Sequence, residues 1–128
     1  MTVAFWCVLI AIFLPYLCAS VAKYSGGKFG LRENHDPRAF LETLEGVARR
    51  AHCAQLNSFE VTPAFAAGVI IAYIVDNAEL VTIDVLAVLF ITSRLLYIIC
   101  YLADWAVLRS LVWFVGLALI ASFFFVSI

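Results

Sequence analysis

Leu80-Val-Thr-Ile-Asp84-Val-Leu-Ala-Val-Leu-Phe-Ile-Thr-Ser-Arg94-Leu-Leu-Tyr97-Ile-Ile-Cys100-Tyr101-Leu-Ala103 is an apolar run broken by two charges only. Crossing a ~30 Å hydrocarbon core takes about 20 such residues. Three other stretches qualify: Val3–Ala22, Asn57–Val75 and Trp105–Ile128. The second is charge-free from Val61 to Val75, and the last from Leu111 onward. The whole chain fits this reading: 128 residues, 66% hydrophobic and 13% charged, with a mean hydropathy of +1.06. Soluble domains are nearer half apolar and a quarter charged. The composition excludes disorder, nucleic-acid binding and a disulfide-stapled secreted scaffold. It predicts an all-α membrane protein, one domain over residues 1–128, built as a four-transmembrane-helix up-down bundle.

Ala19-Ser20-Val21-Ala22 resembles a signal-peptide cleavage site. The preceding segment has no Lys or Arg ahead of its long apolar stretch, so it reads as a retained span. Basic residues give the orientation. Lys23, Lys28, Arg32, Arg38, Arg49 and Arg50 lie between spans one and two, and Arg109 just after the third turn, whereas the second turn holds only Asp76 and Glu79. The first loop is therefore expected on one side with both termini opposite, and that side is the cytoplasm if the membrane is a bacterial inner membrane. That loop, residues 23–36, is rich in Gly and charge. Asp36-Pro37 reads as an N-cap followed by Pro at the first helical position. Phe40, Leu44, Val47 and Ala51 continue at helical spacing, so span two is expected to have a helical extension from about residue 37, with Gly46 as a weak point.

The informative residues are polar ones inside apolar segments. Arg50, Asn57 and Glu60 share one side of span two, with Cys53 between them. Pro63 frees the carbonyl of Phe59 and bends the helix beside Glu60. Span three offers Arg94, Tyr97 and Tyr101 on one face. A Glu60–Arg94 pair is the direct expectation. It reads either as an ion pair locking two helices or as part of a site, since intramembrane ionisable groups mark function. Asp76, Glu79 and Asp84 read as outward-facing acids at a membrane surface, and Trp6, Trp105 and Trp113 as interface or lipid-facing residues. Cys7, Cys18, Cys53 and Cys100 match no metal spacing and no disulfide framework, so no metal is expected.

Ala54-Gln55-x-Asn57-x-x-Glu60-x-x-Pro63, with Arg94-x-x-Tyr97-x-x-x-Tyr101, resembles the MAPEG family, the membrane-associated proteins in eicosanoid and glutathione metabolism. The strings are similar to those of leukotriene-C synthase, whereas the microsomal glutathione transferases usually have His where this chain has Gln55. The resemblance implies a homotrimer in the lipid bilayer that binds glutathione between neighbouring subunits. It names Asn57, Glu60, Arg94, Tyr97 and Tyr101 as binding candidates, with Gln55 as support, and Arg50, on the same side of span two, is added from the residue pattern. Arg109, Ser110 and Tyr101 are the catalytic candidates, because a guanidinium beside a thiol of pKa near ~8.5 favours the reactive thiolate. Family enzymes carry Arg where this chain has Cys53, with Arg49 and Arg50 one turn upstream. The implied activity is a glutathione transferase or peroxidase acting on a hydrophobic small molecule, an electrophile or hydroperoxide. The alternatives are a non-catalytic lipid-binding or partner-presenting protein on the same scaffold, and a small channel or scaffold subunit whose polar residues weld the bundle.

Overall fold

The apolar runs fold as their hydropathy predicts. In the computed structural model, which describes residues 1–128, the chain forms α1 (Val3–Ser25), a 3-10 turn (Glu33–His35), α2 (Pro37–Glu42), α3 (Gly46–Val75), α4 (Leu80–Leu102) and α5 (Ala106–Phe125). There is no strand. α1, α3, α4 and α5 are each long and apolar enough to cross a membrane, and the turns joining α3 to α4 and α4 to α5 are only a few residues long. Consecutive spans therefore run antiparallel. At one end, Asn77 Nδ2 in the α3–α4 turn donates to the carbonyl of Ser127 beyond α5, at 3.2 Å.

Where one helix is expected from about residue 37, there are two. Asp36 does cap the first, accepting from the Ala39 N–H at 3.1 Å. The Thr43 hydroxyl then bonds back to the Phe40 carbonyl at 2.7 Å, and Gly46 turns the chain at φ +57°, a conformation glycine adopts without steric cost. The break lets Leu41 and Leu44 bury against Ala22, Ala48 and Ala51, so α2 folds back over the loop end of the bundle. In the loop before it, the Gly30 N–H reaches Glu33 Oε2 at 2.9 Å. Backbone donors, its own N–H first and that of Gly30 next, hold the Glu33 carboxyl below its usual range.

Asp84 is no outward-facing acid. It is half-buried and accepts the Ala4 N–H at 2.7 Å. A carboxylate at the first turn of α1 satisfies an orphan donor and suits the positive end of the helix dipole. A second cross-helix bond answers a proline. Pro15 lacks an N–H and frees the Ala11 carbonyl; Thr62 Oγ1, on α3, sits 3.3 Å from that oxygen and 2.7 Å from its own Ser58 carbonyl. This contact registers Thr62 near the midpoint of α1.

Lipid tails are as apolar as the core, so close packing holds the spans together. Phe65 and Phe90 stack with centroids 4.0 Å apart, and Phe123 meets Phe65 edge-on at 5.8 Å. All three are essentially inaccessible. Gly68 admits Phe123: a Cβ there would lie 3.3 Å from that residue's own Cβ. Gly68→Leu should therefore overpack the α3–α5 contact and cost about 1–3 kcal/mol, read as a lower midpoint in a circular-dichroism melt of the detergent-solubilised protein.

Candidate functional site

Arg94 lies on the inner face of α4 and is 2% exposed. A guanidinium at this depth needs acceptors, because none is available from lipid. Its Nη2 donates to Asn57 Oδ1 on α3 at 2.7 Å, and Asn57 Nδ2 in turn donates to Glu60 Oε2 at 3.2 Å. The expected direct Glu60–Arg94 pair is thus replaced by a relay. An amide suits it, since Asn accepts on one atom and donates on the other, and a single turn of α3 brings Asn57 and Glu60 together. Arg94 Nε remains buried with no partner.

The relay continues as an aromatic stack along α4. The Arg94 guanidinium lies over the Tyr97 ring at 4.2 Å, Tyr97 meets Tyr101 edge-on at 5.6 Å, and the Arg109 guanidinium covers Tyr101 at 4.2 Å. Helical spacing explains the first two steps. Arg109 arrives from α5, because Asp104 adopts a left-handed conformation at φ +62° and reverses the chain within three residues. Tyr97, Tyr101, Arg109, Ser110, Trp113 and Phe114 line an open groove of about 370 Å³. The Ser110 hydroxyl is exposed and bonds only its own helix, at Ala106 O, 3.1 Å away.

The structure therefore brings Asn57, Glu60, Arg94, Tyr97, Tyr101, Arg109 and Ser110 into one continuous strip. It leaves two expected binding residues elsewhere. Arg50 places Nε and Nη2 at 3.3 and 3.2 Å from the Leu102 carbonyl, closing one of the unpaired carbonyls at the end of α4. Gln55 bonds His52 at 3.2 Å and faces a different groove, with Tyr16, Arg38, Glu42 and Phe59. The reason is angular: at about 100° per residue, Gln55 and Asn57 point some 200° apart. Trp113 was not expected at the site. Its signal was its place one turn after Arg109, which puts both on one face of α5.

Glu60 itself is exposed in the single chain. It lies two residues before Thr62, which contacts Ala11 near the middle of α1, so the carboxylate opens sideways at membrane depth.

Set against known protein families, residues 3–128 match the MAPEG family. No curated protein matches the chain, and no solved structure does.

Removing Asn57 should leave two charged groups without their shared partner. We expect Asn57→Ala and Arg94→Leu each to lower the melting midpoint. In a double-mutant cycle by detergent unfolding they should be non-additive by about 1–3 kcal/mol.

Proposed function

The chain belongs to the MAPEG family, and from that premise we propose that it is a glutathione-dependent transferase or peroxidase of the membrane. The observation that carries this reading is the strip running from exposed Glu60 through Asn57 to Arg94, whose Nε has no partner. Glutathione presents two carboxylates, one ammonium and one thiol. Unpaired guanidinium N–H groups suit a carboxylate, and the free lone pairs of Glu60 suit the ammonium. Tyr97 and Tyr101 supply hydroxyls along the same strip.

The thiol belongs at the far end, beside Arg109. A guanidinium there favours the thiolate, which is the nucleophile. The apolar wall of Trp113 and Phe114 offers a seat for a lipophilic electrophile or hydroperoxide arriving sideways from the bilayer. In the transferase reaction the thiolate sulfur forms a bond to the electrophilic carbon as the leaving group departs with its electron pair. Ser110 lines the same groove, with its hydroxyl donor held by the Ala106 carbonyl and its oxygen lone pairs open to the ligand.

The family resemblance implies a homotrimer, and the exposed Glu60 suits one. A carboxylate left bare at membrane depth is costly, on the order of 2.5–3.5 kcal/mol by insertion scales for Asp at a helix centre, and a neighbouring copy covers it. Closed rings of three join two different faces of the protomer. Gln55, on the opposite side of α3 from Asn57, then reaches a shared ligand from the next subunit. With the basic loop placed in the cytoplasm, the site opens toward the glutathione pool.

Two observations favour the alternative of a non-catalytic lipid-binding or partner-presenting protein. Arg50 is engaged by the Leu102 carbonyl, and Cys53 stands where family enzymes carry Arg. Glutathione titration of the detergent-purified protein separates the two readings. Binding should raise the melting midpoint, by about 2.7 kcal/mol of stabilisation at a hundredfold excess over Kd. Glu60→Gln and Arg94→Leu should each weaken it roughly tenfold or more, and chlorodinitrobenzene should be conjugated. No stabilisation at millimolar glutathione contradicts the proposal and favours the alternative.

A further inference from the structure

The chain has three tryptophans, and they are not equivalent. Trp6 and Trp105 are 52% and 54% exposed, as suits residues at a membrane interface. Trp113 is drawn in against the bundle and lines the groove with Tyr97, Tyr101, Arg109, Ser110 and Phe114. Four of those six residues are aromatic, two from α4 and two from α5. Each pair is edge-to-face, Tyr97–Tyr101 at 76° and Trp113–Phe114 at 5.1 Å and 79°. Arg109 precedes Trp113 by four residues, so the indole lies one turn, about 6 Å, further into the span on the same face. A sulfur held beside Arg109 therefore attacks a carbon whose substituents extend over the indole. Aromatic rings gain from stacked or edge-to-face partners beyond the apolar area they bury, so these walls favour a flat conjugated body over a saturated chain of equal size. Charge favours one type of reaction. A substitution releases an anion into a groove bordered by lipid, where an unpaired charge is costly. An addition releases none.

We infer that the groove selects flat conjugated electrophiles that react by addition, α,β-unsaturated carbonyl compounds whose β-carbon bears an aryl or polyene group, and that Trp113 sets this selectivity. This deepens the transferase reading above and rests on it for the glutathione thiolate beside Arg109. The sulfur lone pair forms a C–S bond to the β-carbon. The C=C π pair shifts to join the α-carbon to the carbonyl carbon, and the carbonyl π pair moves onto oxygen, giving an enolate. The Tyr97 and Tyr101 phenols and the Arg109 guanidinium line the groove in which that charge develops, and donors so placed stabilise it. The proton that the thiol gave up then returns to the α-carbon and restores the carbonyl. The product is a one-to-one thioether adduct; nothing is oxidised and no group leaves.

The test uses the full chain in detergent with glutathione and two substrates, benzylideneacetone and its analogue with a pentyl chain in place of the phenyl ring. The same bond forms in both, and each rate is divided by its uncatalysed rate. Wild-type protein should favour the aryl enone by about fivefold in kcat/KM. Trp113→Leu should bring the ratio to about one, and Trp113→Phe should retain most of the preference. A second readout needs neither glutathione nor turnover: trans-stilbene should raise the melting midpoint more than bibenzyl, its saturated counterpart, and Trp113→Leu should abolish the difference. Equal enhancement of the two enones overturns the inference and leaves the transferase reading standing. Greater enhancement of chlorodinitrobenzene, which is also flat but releases chloride, than of benzylideneacetone overturns the addition step. A preference for stilbene in protein that conjugates neither enone supports the selectivity for flat molecules, and overturns both the addition and the transferase reading.

Discussion

A guanidinium buried inside a bundle of apolar helices constrains the rest of the molecule. Arg94 is 2% exposed, and neither lipid nor water reaches it to solvate the charge. Asn57 meets one nitrogen and passes the connection to Glu60, while the ring of Tyr97 covers the flat face. These contacts fix how α3 and α4 sit against each other along their length. They also leave the carboxylate at the end of the chain turned outward, on a surface otherwise suited to lipid. A purely structural lock gains nothing from ending on an open charge. A site that a ligand or a second copy completes does.

The same economy of polar groups runs through the other helices. Inside a bilayer every freed backbone group needs a partner within the protein. Thr62 approaches the carbonyl that Pro15 releases on α1, Asp84 takes the second N–H of α1, and Arg50 takes the carbonyl at the end of α4. Each joins two helices, so these polar contacts set register while the Phe65–Phe90–Phe123 cluster and small residues such as Gly68 set distance. Arg50 is thereby committed to helix packing.

Much of this was legible in the sequence. Runs of about twenty apolar residues gave the four spans, and helical spacing gave the common face of Arg94, Tyr97 and Tyr101. Asp36-Pro37 marked a helix start because cap and proline chemistry is local. Contacts between spans were not legible. That Asn57 stands between Arg94 and Glu60, or that Asp84 serves α1, depends on how distant segments rotate and slide against each other. Gly46 hinted at the break at Thr43–Glu45, but the fold-back itself was hidden for a related reason: Leu41 and Leu44 keep helical spacing, and only their burial against Ala22 and Ala48 favours it. Gln55 sits beside Asn57 in the sequence string but on the other side of the helix, a distinction that angle makes and adjacency hides.

Glu60 is the residue on which the account turns. Its carboxylate opens sideways at the depth of Ala11 and Thr62, and the account holds that a neighbouring copy of the chain closes over it. Native mass spectrometry of the protein released from gentle detergent micelles tests this most directly. A particle of three copies in wild-type protein is the predicted result. A single copy that nonetheless binds glutathione contradicts the account, because the polar strip would then be complete within one chain.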